Sequence, residues 1–537
     1  MRSQLRDLLR LVPALLLIAL TACGGAASTG GVAAPAPTVA PAGAPVTADT
    51  TKLQIPVAEA TAAPAVNVQS PPADLAQAPV ISEPLPPTPQ RPIEVNPLTR
   101  TSDDHLSTFA MDVDTAAYTA ARNYLNAGQM PPPDAVRVEE FVNYFHYDYP
   151  APQQGAFGIN VDAAPSPFGQ PGAQIVRVGI QGQRIDPGQR ADAVLTFVID
   201  ISGSMAQPNR LALVKQALHL LVDELHQSDQ VAIVVYGDTA YTVLDHTSAA
   251  DRERIVQAID SLENAGSTNA EAGLRMGYEL AAKHFKPGAS NRVILCSDGV
   301  ANVGATGPDE IRRAIRDYTA QGIYLTTVGF GMGDYNDQLM EQLADDGNGN
   351  YAYVDTLDAA RRIFVENLTG TLQVIAKDSK IQVDFNPAVV SSYRLLGYEN
   401  RAVADTDFRN DRVDAGEVGS GHSVTALYEI VPTGQGSGTA LTVRVRYADP
   451  KSGEVHEVEQ ALGSADFGQS FEDAAPRLQL AVAVAGFAEQ LRGSGYAQGR
   501  SLADVLTIAR RVAPQLTNDT DVQEFVQLIE RAQGIQG

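Results

Sequence analysis

A carboxylate and two hydroxyls follow one strongly apolar run of the sequence at alternating positions. The run at 194–199 leads directly into Asp200-Ile201-Ser202-Gly203-Ser204. In extended backbone, side chains two and four positions apart point to the same side, so the oxygens of Asp200, Ser202 and Ser204 are expected to converge. Such a group could bind a cation, or it could form a cap or turn that opens a helix predicted near position 209.

Two further segments can bring oxygens to the same place. The apolar run at 292–296 ends in Ser297-Asp298-Gly299, where the glycine permits a sharp turn that leaves the Asp298 carboxylate accessible. A Gly-Ser-Thr-Asn sequence precedes a predicted helix at 270–284 and can present the Thr268 hydroxyl. Open α/β sheets bind their ligands at the carboxyl ends of the strands, so we expect a single site there. The expected site residues are Asp200, Ser202, Ser204, Thr268 and Asp298.

The oxygen chemistry of these five residues predicts a divalent metal site. Two carboxylates and three hydroxyls are hard ligands, which favour Mg²⁺ most, with Ca²⁺ or Mn²⁺ as alternatives, over zinc. Because neutral hydroxyls cannot cancel the charge of the ion, a carboxylate from a protein partner would complete the site well. The sequence therefore predicts a metal-mediated docking point for a protein ligand.

Two other functions are compatible with the same residues. The metal could serve only to stabilise the domain, in a structural envelope protein that binds through its C-terminal regions. A metal-dependent hydrolase is the less favoured alternative, because no Gly-x-Ser-x-Gly motif surrounds Ser204 and no histidine lies near the site in sequence. We therefore expect a protein that is not an enzyme.

Alternating strands and helices are expected to position the site. Nearly continuous apolar runs at 194–199, 231–235, 292–296 and 323–328 alternate with amphipathic helices. This order predicts a Rossmann-like, doubly wound α/β domain over residues 191–374, with its last helix at about 357–374. Cys296, at the end of one apolar run, is expected to be a buried free thiol.

The segments on either side of this domain follow other patterns. Residues 97–190 predict an N-terminal α+β extension, with strands at 107–113, 156–163 and 174–183 and helices at 116–127 and 137–147. Asp114 or Thr115 is the predicted N-cap of the first helix. Residues 375–465 predict an antiparallel β module, into which the strand at 174–183 could pair. Residues 466–537 predict a helical region, with helices at 473–492, 501–513 and 519–533.

The N-terminus predicts export and attachment to a membrane. Residues 1–22 combine early arginines with a short apolar stretch, which is the pattern of a signal peptide. The sequence Leu-Thr-Ala-Cys at 20–23 resembles a bacterial lipobox, so we expect Cys23 to carry the lipid. This anchor would place the protein on the extracytoplasmic side of the cell membrane or the outer membrane. Residues 23–96, rich in alanine and proline, predict a disordered tether.

A formal net charge of −24 argues against nucleic acid as a partner.

The five site residues also match the metal-ion-dependent adhesion site of von Willebrand factor type A (VWA) domains, and residues 191–374 resemble such a domain. The segments at 108–116, 132–141 and 416–428 resemble bacterial YfbK-type lipoproteins, and that resemblance spans about 95–537. It implies an N-terminal extension and a C-terminal domain of unknown function around the VWA domain. The resemblance to VWA domains implies that the five residues hold a metal, with Thr268 and Asp298 able to act through water. Together with the predicted docking point and lipid anchor, this leads us to expect an adhesion or scaffold protein.

Overall fold

The computed structural model of the chain describes residues 95–207, 209–299, 308–331, 337–413, 415–468 and 470–536, all within the compact unit Leu85–Gly537. The signal peptide predicted at 1–22, the predicted lipidation site Cys23 and nearly all of the tether predicted at 23–96 lie outside the described residues. The described residues divide along the chain into an N-terminal segment, a central α/β domain and a C-terminal segment.

The N-terminal segment contributes strands and helices to layers that are completed much later in the chain. Its elements are β1 (Thr99–Arg100), β2 (Leu106–Ala110), α1 (Ala116–Asn126), α2 (Val138–Asn143), β3 (Phe157–Pro165) and β4 (Gln174–Gly182). Thr115 occupies the N-cap position of α1, but its side chain makes no capping hydrogen bond. Asp114, the other predicted cap, instead accepts a hydrogen bond from the backbone N–H of Tyr351 at 3.0 Å. A tertiary contact has therefore replaced the local cap.

The central domain contains the predicted doubly wound sheet. Its elements are β5 (Ala193–Asp200), α3 (Leu211–Glu224), β6 (Gln230–Tyr236), β7 (Ala240–Ser248), α4 (Arg252–Asp260), α5 (Ala270–Lys283), β8 (Ser290–Ser297), α6 (Pro308–Thr319), β9 (Ile323–Phe330), α7 (Asp337–Asp346), β10 (Tyr351–Val354), α8 (Leu357–Arg361) and α9 (Leu368–Leu372). The strand order is β10-β9-β8-β5-β6-β7, and β7 alone among these neighbours is antiparallel. Strand β5 is buried throughout, because Phe197 belongs to the apolar core on one side of the sheet and Val198 to the core on the other.

Two edge strands and a break in the last helix were not predicted. Buried and exposed positions are mixed along β7, so its sequence contains no continuous apolar run. Strand β10 was missed because it has only four residues. The single helix predicted at 357–374 is wrong in its continuity and its end. A π-helical turn, Arg362–Glu366, lies between α8 and α9, and the next strand already begins at Val374.

The C-terminal segment completes two antiparallel sheets and adds helices. Its elements are β11 (Val374–Phe385), β12 (Val390–Leu396), β13 (Gly416–Gly419), β14 (Ser423–Pro432), β15 (Thr439–Ala448), β16 (Val455–Gly463), α10 (Pro476–Leu491), α11 (Leu502–Val512) and α12 (Thr520–Gln536). One sheet has the order β1-β12-β14-β4-β3, and the other has the order β13-β11-β15-β16 with β2 beside β11. The predicted pairing of the strand at 174–183 into this module is confirmed, since β4 pairs with β14 and places Val176 opposite Tyr428.

These sheets and helices form three layers. The two sheets share an apolar core that includes Ile381, Val443 and Tyr428. On its other face the first sheet presents Ile175 and Leu427 to a core formed with α1, α2 and the three C-terminal helices. The N-terminal and C-terminal segments are therefore one structure in space, with the central domain inserted between β4 and β11. Within the described part of the chain, no helix is both long and apolar enough to cross a membrane.

Charged and aromatic side chains hold the central domain against these layers. Arg122, on α1, donates to both carboxylate oxygens of Asp355, at 2.6 and 3.0 Å. Arg362, in the π-helical turn, lies 4.2 Å from the centroid of the Tyr144 ring and forms an ion pair with Asp521 of α12. Bidentate and stacked guanidinium contacts of this kind fix direction as well as distance, so they define one orientation of the domain.

Candidate metal centre at the carboxyl edge of the central sheet

Asp200 is the last residue of β5 and is completely buried. Its Oδ1 accepts a hydrogen bond from the backbone N–H of Ser202 at 2.8 Å, and its Oδ2 accepts one from the Ser297 hydroxyl at 2.9 Å. Burial raises the pKa of Asp200, while the bonds from Ser202 and Ser297 act in the opposite direction. The carboxylate is thus oriented by neutral donors on both of its oxygens.

The two serines and Asp298 continue from Asp200 as a series of oxygen contacts. The hydroxyls of Ser202 and Ser204 lie 3.0 Å apart, and the Ser204 hydroxyl donates to Asp298 Oδ1 at 3.1 Å. A short 3-10 turn, Gly203–Ala206, brings Ser204 over the end of the strand. Gly299 follows Asp298 with a φ of +139°, a conformation that side-chain-bearing residues rarely adopt, and so allows the sharp turn expected there. Four of the five predicted site residues are therefore in contact as a group.

Thr268, the fifth predicted residue, lies on a loop that is hydrogen bonded to the same turn. The backbone N–H of Gly203 donates to Gly266 O at 3.1 Å, and that of Ala265 donates to Ile201 O at 2.7 Å. Thr268 itself is partly exposed, and among the described residues its hydroxyl makes no hydrogen bond to the other four. Asn269, next in the chain, caps α5 by accepting from the backbone N–H of Ala272 at 3.1 Å. The structure places Thr268 beside the group rather than in direct contact with it.

Sequence reasoning missed two residues that shape the site. Ser297 bonds to Asp200, although the sequence pointed only to its neighbour Asp298. Arg210, just before α3, donates from Nη1 to Asp298 Oδ2 and, at 2.9 Å, to the backbone oxygen of Ser204. Its Nε also donates to Gly331 O, at the end of β9. No sequence pattern identifies an arginine six positions beyond a serine as a partner of a distant aspartate, so this contact needed the structure.

The donor set fits a hard divalent cation. Asp200 and Asp298 supply carboxylates and Ser202 and Ser204 supply hydroxyls at the end of a buried strand, and Thr268 lies on the loop that is hydrogen bonded to the same turn. The described residues contain no group of three or more His, Cys, Asp or Glu side chains that could hold a metal ion, so hydroxyl oxygens would have to complete a site built on Asp200 and Asp298. Cys296, at the end of β8, is a fully buried free thiol as predicted, and burial raises its pKa.

Three regions of the chain match known protein families. Residues 195–366 match the von Willebrand factor type A domain, and residues 90–177 match a family described as von Willebrand factor. Residues 370–535 match the C-terminal region of the uncharacterized protein YfbK. Together with the doubly wound sheet, these matches define a VWA-domain protein.

The chain belongs to the YfbK family. Over 465 residues it is 36% identical to the uncharacterized protein YfbK of Escherichia coli (strain K12), which covers 82% of this chain and 80% of that protein. The uncharacterized protein sll0103 of Synechocystis is 25% identical over 299 residues, 53% of this chain and 69% of that protein. Human inter-alpha-trypsin inhibitor heavy chain H3 is 31% identical over 163 residues, 29% of this chain and 18% of that protein.

Solved structures also show similarity to this chain. A von Willebrand factor type A protein from Catenulispora acidiphila has a TM-score of 0.42 at 17% identity, and the similarity covers 70% of this chain and 90% of that chain. The ArnB paralog VWA2 from Sulfolobus acidocaldarius has a TM-score of 0.36 at 16% identity, covering 71% of this chain and 98% of that chain.

Proposed function

We propose that this protein binds a divalent cation at the candidate metal centre and uses it to bind a protein partner that offers a carboxylate. Mg²⁺ suits the donor set best, with Ca²⁺ or Mn²⁺ as alternatives. The observation that carries the proposal is the series of contacts from Asp200 through Ser202 and Ser204 to Asp298 at the carboxyl edge of the sheet. When bound there, the cation would supply a Lewis-acidic position for the incoming carboxylate.

The residues of the site are arranged to hold such a cation without neutralising it fully. Asp200 is oriented through both of its oxygens by Ser202 and Ser297, so little ordering of its carboxylate remains to be done on binding. Ser202 and Ser204 contribute uncharged oxygens. The remaining positive charge favours an acidic group on the partner, which supports an adhesion or scaffold role rather than catalysis.

We further propose that the chain acts outside the cytoplasm, as a lipoprotein anchored through Cys23. The support is the sequence pattern of residues 1–23, and the proline-rich stretch that follows would separate the folded part from the bilayer. Whether the anchor lies in the cell membrane or in an outer membrane depends on the host.

The second candidate is a structural envelope protein in which the cation only stabilises the VWA domain. The two packed antiparallel sheets and the helices α10 to α12 give it a surface through which binding could occur without the cation. A hydrolase is less favoured, because the groups that donate to Asp200 and Asp298 are serines and an arginine, and no histidine is among these partners.

The proposal is tested with purified protein in two measurements. Mn²⁺ titration is expected to show one site in the wild type and no measurable binding in Asp200→Asn, since the buried carboxylate is lost. Capture of a partner from envelope extract is expected with Mg²⁺ and not with EDTA, and not by Asp200→Asn. Asp260→Asn, at the end of α4, is the matched control, because Asp260 is 62% exposed and outside the site.

Each outcome distinguishes the candidates. Mn²⁺ binding that is lost in Asp200→Asn while capture survives would support the structural alternative. A wild-type protein that binds no divalent cation would contradict both.

A further inference from the structure

Arg210 joins three segments of the chain at the candidate metal centre. Its guanidinium donates to Ser204 O in the loop after β5, to the Asp298 carboxylate after β8 and to Gly331 O after β9. The Arg210 and Asp298 side chains are 8% and 6% exposed, so this ion pair is almost withdrawn from solvent. A shielded pair of this kind has a defined position and is little screened by salt.

The approach of Arg210 to Gly331 depends on the absence of a side chain at position 331. Gly331 has a φ of +50°, and a Cβ there would lie 2.4 Å from Asn209 O and 2.6 Å from Arg210 Cγ. Any other residue would force one of these groups to move. Gly331 therefore provides a second, independent way to displace the guanidinium.

Arg210 changes the charge that the site offers to a cation. The ion pair compensates the Asp298 carboxylate, whereas Asp200 accepts hydrogen bonds from neutral groups, the Ser202 amide and the Ser297 hydroxyl. The other predicted ligands are uncharged hydroxyls. A doubly charged ion would therefore meet one uncompensated carboxylate instead of two.

We infer that Arg210 is a positioning residue that weakens binding of the cation alone and makes tight binding depend on an external carboxylate. The incoming carboxylate restores the negative charge that Arg210 has compensated. Cation and carboxylate then bind with positive coupling, each raising the affinity for the other by the same factor. This inference rests on the proposed function, and it adds that the partner's acidic group controls occupancy of the site.

The experiment is an Mn²⁺ titration of the full-length protein in acetate and in chloride at equal ionic strength. Electron paramagnetic resonance measures the concentration of free Mn²⁺ at each point. Acetate is the carboxylate probe, and it is expected to tighten Mn²⁺ binding to the wild type. Arg210→Gln is expected to bind Mn²⁺ about tenfold more tightly in chloride, the effect of one charge several ångströms from a divalent ion in a high dielectric. The effect of acetate should shrink in that variant. Arg210→Lys keeps the charge and should resemble the wild type.

A second variant tests the same prediction in case Arg210→Gln does not fold. Gly331→Ala displaces the guanidinium without changing any charge, and it should shift Mn²⁺ affinity in the same direction as Arg210→Gln. If wild-type protein binds Mn²⁺ but both variants bind it equally well or more weakly in chloride, Arg210 is only structural and the inference is wrong, while the proposed function stands. If the wild type binds no Mn²⁺ in either buffer, the proposed function fails and the inference fails with it.

Discussion

The Nε–H of Arg401 donates to Asp112 Oδ2 at 3.0 Å, although the two residues are 289 positions apart in the chain. The same guanidinium contacts Asp114, Glu341 and Asp345, at 3.4, 3.3 and 2.8 Å. Asp112 and Asp114 belong to the N-terminal segment, Glu341 and Asp345 belong to α7 of the VWA domain, and Arg401 follows β12. One cation therefore joins all three regions of the chain.

Arg401→Met is expected to lower the free energy of unfolding by about 3–5 kcal/mol, because it leaves the buried carboxylates of Asp112 and Asp114 without their cation. Urea denaturation measures the change. The matched control is Arg409→Met, which removes an ion pair with Glu457 from a side chain that is 62% exposed. That control should cost at most about 1 kcal/mol. Equal losses in the two variants would contradict a central role for Arg401.

Gly277→Ala is expected to loosen the packing of α5 on β5. A Cβ at position 277 would lie 2.3 Å from Val198 Cγ2, so the helix would have to move away from the strand at a cost of about 1–3 kcal/mol. The same movement would shift the loop that carries Thr268 and weaken Mn²⁺ binding. Gly534→Ala in α12 is the control, because no heavy atom other than those of its chain neighbours and of the helix's own backbone lies within 4 Å of its Cβ position. It should stabilise the protein by about 0.4–1 kcal/mol. Loss of stability in both variants would point to a general intolerance of alanine instead.

Ser297→Ala is expected to destabilise the protein in EDTA by about 1–2 kcal/mol, because it removes a donor from the buried Asp200 carboxylate. Since the bond from Ser297 holds the pKa of Asp200 down, the midpoint of the pH dependence of Mn²⁺ binding should move to higher pH. Thermal unfolding and Mn²⁺ titration at several pH values measure the two effects. Ser290→Ala, at the opposite end of β8, should change neither.

His422 is expected to make the protein less stable in acid. Burial, with a contribution from Arg292, lowers the pKa of His422 to about 4. The unfolded chain then binds more protons than the folded one between the ordinary histidine pKa, about 6.5, and about 4, so stability falls as the pH is lowered through that window. His422→Gln should flatten the decline of the melting temperature across it. His105→Gln, at a 50% exposed side chain, is the control, and an unchanged slope in His422→Gln would refute the assignment.

The strands that position the site could be predicted because each is marked in the sequence by a run of apolar residues. Strand β5 and its neighbour β8 are buried on both faces, and burial on both faces requires an unbroken apolar run. Oxygen-bearing residues at the ends of such runs must meet at one edge of a parallel sheet, which is why Asp200, Ser204 and Asp298 could be grouped. The edge strand β7 lacked this signal, because half-exposed positions accept almost any residue.

Contacts made by charged side chains over long sequence distances were not predictable. Asp114 is of a residue type that caps helices and lies just before α1, yet it accepts a hydrogen bond from the backbone N–H of Tyr351 in the VWA domain. The sequence around Arg210 and Ser297 contains no pattern that indicates their partners. A polar residue can bond to many others, and only the fold decides which of them lies beside it. For the same reason the sequence could not show that the N-terminal and C-terminal segments share their sheets, beyond the pairing suspected for the strand at 174–183.

The insertion of the VWA domain between β4 and β11 has a consequence for the order in which the chain can fold. Gln181, in β4, hydrogen bonds to Gly421 O, 240 residues later, and β14 begins two residues after Gly421. During synthesis the edge of β4 that will pair with β14 therefore stays unpaired while the whole VWA domain is made. The VWA domain can fold in that time on its local contacts. An unpaired edge is prone to pair with another chain, so the edge of β4 is open to aggregation until β14 has been synthesised.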